Sequence, residues 1–152
     1  MTTRIIENDG QRSSFLRFLE GQAPPFTVTV TKGKHRTVHQ NRLQRLWCNE
    51  IAEQAGDQNP EQIRGYCKLT IGVPMLRAEN EAFCAAYDAN VKDLPYERKM
   101  ALMMEPLDFP VTRLMTTKQK TKYLDEMYRH WAEQGMVLTI PDWGLEAMGR
   151  TR

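Results

Sequence analysis

Apolar residues recur with two different periods along this chain, and together they predict a mixed fold. The stretch "FTVTVTKG" (26–33) alternates apolar residues with threonine, which is the pattern of a half-buried β-strand. Shorter runs at 3–7, 111–115 and 136–141 are further strand candidates. Most other apolar residues recur three or four positions apart, as on one face of an α-helix. We therefore predict an α+β fold, in which a small mixed or antiparallel sheet of two to four short strands packs with about five helices.

Capping residues predict where the helices begin. "TVHQ" (37–40) and "TTKQ" (116–119) both have the spacing of a capping box and predict helices that run to about residues 55 and 135. "NPEQ" (59–62) combines an asparagine N-cap with proline at the first helical position. Three further segments have helical patterns: "QRSSFLRFLEGQ", "ENEAFCAAYDANV" and "PYERKMALMME".

Length and composition limit the possible classes of protein. The chain has 152 residues, is 41% hydrophobic and 26% charged, and shows no repeat or linker, so we predict one globular domain over 1–152. The formal net charge is only +2, so an anionic partner would have to be recognised by clustered charges. No apolar run approaches the length of a membrane span, and the N-terminus lacks the apolar segment of a secretory signal. Cys48, Cys67 and Cys84 form no CxxC pair and predict buried, reduced thiols in a cytoplasmic protein.

The helix predicted after the threonine-valine strand has a dry side and a wet side. At 100° per residue, Leu43, Trp47 and Ile51 share one side, whereas Arg42 and Arg45 lie around the other. Trp47 is therefore interpreted first as a core anchor. A platform on which nucleic-acid bases stack is the alternative.

The start of this helix carries a candidate anion-binding patch. Lys34 and Arg36 lie in the predicted loop before the helix, and Arg42 and Arg45 follow on its wet side. Backbone amides at a helix N-terminus add partial positive charge to such a patch. Gln40 is either a capping side chain or a further contact. A merely solvated surface is the alternative for the whole set.

A second basic set surrounds the start of the last long helix. Arg113 precedes the helix cap, and Lys118 and Lys122 lie one helical turn apart. Lysines near a helix N-terminus oppose the helix dipole by a few tenths of a kcal/mol. An anionic partner would offset that cost, although ordinary surface lysines explain the pattern equally well.

Catalytic and metal-binding motifs are missing from the sequence. His35 and His39 have the spacing of a metal pair, but no third ligand follows at a recognisable distance. The acidic residues form no paired motif of the kind that marks a two-metal nuclease. We therefore predict no catalytic residues, no bound metal and no cofactor.

Two segments of the chain resemble a known family. The segment "RTVHQNRLQRLWCNEIAEQ", after a threonine-valine strand, and the segment "VTRLMTTKQKTKYLDEMYRHWAEQGMVLTIPDW" are similar to the NinB/Orf family of lambdoid phage recombination proteins. The resemblance covers about 26–55 and 110–143. Residues 56–109 match only in length and helical character.

The resemblance implies a phage recombination mediator that is not an enzyme. Such a protein would be a homodimer in the cytoplasm of the bacterial host and would bind single-stranded DNA with little sequence preference. It would also contact the host single-strand binding protein and help to load recombination proteins. The family's functional positions correspond to Gln40, Trp47 and Arg113. Two other classes remain open: a metal-dependent phage nuclease or resolvase, and an interaction module without affinity for DNA.

Overall fold

The structure, a computed structural model, describes residues 3–30 and 36–150. These residues divide into two units, one in each range. The strand residues predicted at 31–33 lie outside the described ranges, and so do Lys34 and His35. The prediction of one domain over 1–152 stays a prediction.

The first unit is built around a single helix. Helix α1, Asp9–Glu20, is capped by Asn8, whose side chain accepts a hydrogen bond from the backbone amide of Gln11 at 2.9 Å. No residue of α1 is buried. Its aromatic residues stack on each other, with the Phe15 and Phe18 ring centroids 6.3 Å apart.

The second unit is mainly helical in its described part. Its first long helix is α2, which is followed by two helices joined through a π-helical turn, two shorter helices, a 3-10 turn, a second long helix and a short last helix. In order they are α2 Arg36–Ala55, α3 Pro60–Cys67, the π turn Lys68–Gly72, α4 Val73–Glu79, α5 Glu81–Asn90, α6 Tyr96–Met103, the 3-10 turn Thr112–Leu114, α7 Thr117–Glu133 and α8 Asp142–Ala147. In the parts of the chain that are described, no helix is both long and apolar enough to cross a membrane.

Two hydrophobic clusters form the core of the second unit. The larger one lies between α2 and its neighbours α3, α7 and α8, with Trp47 and Leu124 fully buried at its centre. The predicted dry side of α2 is therefore confirmed. The smaller cluster joins α4, α5 and the end of α6; its members are Val73, Leu76, Phe83, Tyr87, Val91, Met103 and Val111.

The predicted α+β fold is wrong, because the described residues contain no β-strand. Residues 3–7 and 26–30 lack helical structure, but neither pairs with another strand. The segment 111–115 instead contains the 3-10 turn. Alternation of apolar and polar residues predicts an extended backbone, and a sheet needs in addition a second strand that supplies hydrogen bonds.

The segment 136–141 shows how helix side chains replace a partner strand. The amide of Val137 donates to Gln54 Oε1 at 2.8 Å, and the amide of Thr139 donates to Glu50 Oε1 at 3.0 Å. The indole nitrogen of Trp47 donates to the carbonyl oxygen of Thr139 at 2.7 Å. Three side chains of α2 thus satisfy backbone groups that would otherwise need a neighbouring strand.

Helices begin at or close to all three starts that the capping patterns predict. Complete capping boxes are present at Asn59 with Gln62 and at Thr116 with Gln119. The third helix is α2, Arg36–Ala55, and the capping box at Thr37 stays a prediction because the side chain of Thr37 is not among those described.

Candidate nucleic-acid interface

Gln40 lies beneath the predicted binding surface. Its side chain is fully buried, and its amide nitrogen lies within hydrogen-bond distance of Thr121 Oγ1, at 3.0 Å, and of the Ala147 carbonyl oxygen, at 3.1 Å. These contacts join the first turns of α2 and α7 to the end of α8. Gln40 therefore fixes the positions of the elements that carry the exposed basic residues.

The wet side of α2 is exposed as its sequence predicts. Asn41, Arg42, Arg45 and Asn49 are all exposed, and they follow one side of the helix. Arg36 is the first residue of α2, and its side chain is not among those described. The exposed side of α2 thus presents two arginines and two neutral amides.

Lys120 belongs to the second basic segment of the sequence but is not among the site residues predicted from it. Only 6% of it is exposed, and its ammonium donates a hydrogen bond to Asn41 Oδ1. Burial lowers the pKa of this ammonium below its ordinary value of 10.5. Among the residues of the two described ranges, no carboxylate lies within ion-pair distance of it.

The position of Lys120 could have been found from helical spacing. It lies four residues before Leu124 and seven before Met127, so it continues the buried stripe of α7 toward the start of that helix. A lysine in such a stripe indicates a buried charge that needs a partner.

Trp143 is a second residue of this surface that was not predicted from the sequence. Its indole is partly buried at the start of α8, and the guanidinium carbon of Arg42 lies 4.1 Å from its ring centroid. The His39 ring stacks near it with the centroids 6.0 Å apart and the planes at 26°. His39 Nε2 lies 3.8 Å from a carboxylate oxygen of Glu146. Trp47, in contrast, is fully buried, so the core interpretation of that residue is confirmed.

The basic residues of α7 lie in a mixed-charge environment. Lys118 and Lys122 are exposed, and Lys122 lies 3.6 Å from a carboxylate oxygen of Glu79 on α4. A groove of about 400 Å³ beside them is lined by acidic Glu126 as well as basic Arg129. Positive charge on this side is therefore partly balanced, whereas no carboxylate of the described residues is ion-paired with Arg42 or Arg45.

Arg113 is exposed in the 3-10 turn Thr112–Leu114. Hydrogen bonds connect the first turn of α7 to α2 through Lys120 and Gln40. The two basic segments of the sequence are thus neighbours in the fold, but the residue that links them is Lys120 and not Lys118 or Lys122.

The thiols and the histidines do not suggest a metal centre. Cys48 and Cys67 are buried, and burial raises the pKa of both thiols, that of Cys67 to about 12. Cys84 is only partly buried, which corrects the prediction for that residue. In the part of the chain that the structure describes, no three His, Cys, Asp or Glu side chains are placed to hold a metal ion.

No known protein family, curated protein sequence or solved structure matches this chain. The resemblance to the NinB/Orf family therefore stays a prediction, and the sheet predicted alongside it is absent from the described residues.

Proposed function

We propose that this protein binds single-stranded DNA, with little sequence preference, through the exposed side of α2. The observation that carries this proposal is the buried ammonium of Lys120, which has no carboxylate partner among the described residues and is bonded to exposed Asn41. Arg42 and Arg45 lie one residue and one helical turn from Asn41. One cation therefore contacts an exposed amide of α2, and two further cations lie within one helical turn of it along the same helix.

A phosphate group offsets the cost of this arrangement. Burying a charge without a counter-charge costs several kcal/mol. The cost falls when the group is paired with an opposite charge or loses its proton. A DNA phosphate near Asn41 places negative charge beside Lys120 and within reach of both arginines. Such phosphate contacts are independent of base sequence and release counterions, so we expect binding to weaken strongly with salt.

The biological role follows the family resemblance. We propose a recombination mediator of phage origin that acts in the cytoplasm of a bacterial host as a homodimer. Its partner there is the host single-strand binding protein, which it displaces or contacts while recombination proteins load. These parts of the proposal depend on the resemblance, whereas DNA binding is supported by the surface of α2.

Fluorescence anisotropy with labelled oligonucleotides tests the proposal. The parent protein should bind a single-stranded oligonucleotide more tightly than a duplex of the same length at about 50 mM salt. Arg45→Ala should weaken binding alike for different sequences and flatten the salt slope by roughly 0.7. Arg98→Ala, which changes an exposed arginine on α6, is the matched control and should bind like the parent.

Lys120→Met separates stability from binding. It removes a buried charge and keeps most of the side-chain volume, so we expect stability at least equal to that of the parent. The affinity for DNA should nevertheless fall. A parent protein that binds no single strand at low salt, or a Lys120→Met variant that binds as tightly as the parent, would contradict the proposal. Metal-dependent cleavage of the oligonucleotide would favour a nuclease instead.

A further inference from the structure

We propose that Arg42, whose guanidinium carbon lies over the Trp143 ring, forms the platform on which a nucleic-acid base stacks. Arg45, one turn away, contacts phosphate only. This inference rests on the proposed function, and it names the part of the ligand that each arginine recognises. It also assigns the aromatic contribution to base stacking to Trp143 and not to Trp47, which is fully buried.

The geometry fixes Arg42 before any ligand binds. Its guanidinium carbon lies 4.1 Å from the centroid of the Trp143 ring, which is the distance of a cation–π contact. The indole is in turn held by packing against the core and by the stacked ring of His39. An arginine supported in this way loses less side-chain entropy on binding than a free one.

A second stacked arginine in the same unit shows what distinguishes Arg42. The Arg77 guanidinium lies 5.8 Å from the Tyr87 ring centroid, but it is also ion-paired with Asp88 at 2.7 Å. Arg42 is exposed, and within residues 3–30 and 36–150 no carboxylate is ion-paired with it. The charge of Arg77 is satisfied inside the protein, whereas that of Arg42 faces solvent.

The chemistry of the guanidinium suits a base. It is planar and permanently charged, and because Arg42 is exposed, its guanidinium over the indole is open to a second flat group from the solvent side. Unstacked bases in single strands stack on arginine planes as well as on aromatic rings. The N–H groups at the edge of the same plane can donate to a neighbouring phosphate. A lysine at this position would keep the charge and lose the plane.

Arg45 provides the matched comparison on the same helix. It is exposed like Arg42, three residues further along α2, and in the described part of the chain no aromatic ring lies under its guanidinium. An exchange of arginine for lysine should therefore have different consequences at the two positions.

The test uses two charge-conserving variants and two ligands of equal length. Arg42→Lys and Arg45→Lys are titrated with a thymidine oligonucleotide and with an abasic oligonucleotide that has the same phosphates. We expect the parent to bind the thymidine oligonucleotide more tightly. Arg42→Lys should weaken that binding roughly 5- to 150-fold, the range of one lost base stack, and leave abasic binding unchanged. Arg45→Lys should change neither affinity by more than about twofold.

A third variant tests whether the Trp143 ring beneath the Arg42 guanidinium is needed for binding. Trp143→Leu should reduce thymidine binding as Arg42→Lys does, and thermal melting will show whether it stays folded. If it does not fold, the surface variant Arg42→Lys still decides the question.

Four outcomes would overturn the inference. Equal binding of both ligands by the parent would show that no base is stacked. An unchanged affinity of Arg42→Lys for the thymidine oligonucleotide would remove Arg42 from that role and leave the proposed DNA binding intact. Equal losses on both ligands would make Arg42 a phosphate contact. A parent that binds neither ligand would refute the proposed function itself and the stacking with it.

Discussion

The ammonium nitrogen of Lys68 lies 2.8 Å from a carboxylate oxygen of Asp108, and it also donates to the carbonyl oxygen of Met103 at 2.7 Å. Only 1% of Lys68 is exposed. Arg64 donates to the same Asp108 oxygen at 2.8 Å. One carboxylate thus compensates a buried charge in the π turn and ties that turn to the loop after α6. Lys120, the other buried lysine among the described residues, has a neutral amide as its one partner within those ranges.

Removing Asp108 should therefore destabilise the protein more than removing Lys68. Asp108→Asn leaves a buried ammonium without its counter-charge. We expect a loss of about 1–3 kcal/mol, which is below the 3–5 kcal/mol of a fully buried pair because Asp108 is partly solvated. Lys68→Met removes the charge itself and should cost less. Urea unfolding of the two variants measures the difference, and a larger loss for Lys68→Met would contradict this account.

The same contact predicts a dependence of stability on pH. The hydrogen bond from Lys68, aided by that from Arg64, lowers the pKa of Asp108 from 3.8 to about 2. Because the folded value lies below the unfolded one, this contribution is fully present above about pH 5 and is lost as the pH falls through 4 toward 2. Unfolding free energies at pH 6, 4 and 3 should converge between the parent and Asp108→Asn. Parallel curves would show that Asp108 is not responsible.

Gly72 should not tolerate alanine. A Cβ atom there would lie 2.6 Å from Val111 Cγ1 and 3.4 Å from Tyr123 Cε2, and both of those side chains are buried. We expect Gly72→Ala to cost about 1–3 kcal/mol and to lower Tm by roughly 2–4 °C for each kcal/mol. Gly21→Ala is the control, because its Cβ would meet only ordinary contacts at 3.6 Å or more. Equal melting of Gly72→Ala and the parent would mean that the helices separate more easily than the structure indicates.

The two sides of α2 should respond differently to truncation. Trp47→Ala removes a fully buried indole together with its hydrogen bond to the Thr139 carbonyl, and it should cost about 3–5 kcal/mol. Arg45→Ala should change stability by no more than about 0.5 kcal/mol. Arg42→Ala should cost slightly more, about 0.5–1 kcal/mol, because it ends the contact with Trp143. Thermal melts and DNA titrations on the same samples test this order. A fully folded Trp47→Ala that no longer binds DNA would restore the stacking role to Trp47.

Local features of the sequence predicted the helices well. The capping boxes at Asn59 and Thr116 are formed by residues three positions apart, so their geometry needs nothing from the rest of the fold. The dry side of α2 was predicted for a similar reason, since the period of its apolar residues determines which side can be buried.

The sheet and the centre of the candidate interface depend on partners that are distant in sequence. The strand predicted at 136–141 is instead a non-helical segment, and side chains of α2 more than eighty positions away supply its hydrogen bonds. In the same way, helical spacing places Lys120 on the buried stripe of α7 but does not show that Asn41 is its partner, and Trp143 is identified only when Arg42 covers it. Composition and spacing along the chain carry no information about such pairs.

The hydrogen bonds of segment 136–141 also determine how quickly its amides exchange with deuterium. In a sheet, a hydrogen-bonded amide exchanges only when the two paired strands separate. Here the Val137 amide is held by the side chain of Gln54 and the Thr139 amide by that of Glu50, and both bonds are exposed. Rotation of one side chain is enough to open each of them while α2 stays intact. The exchange rates at Val137 and Thr139 therefore record side-chain rotation on a helix, although the segment has the sequence pattern of a strand.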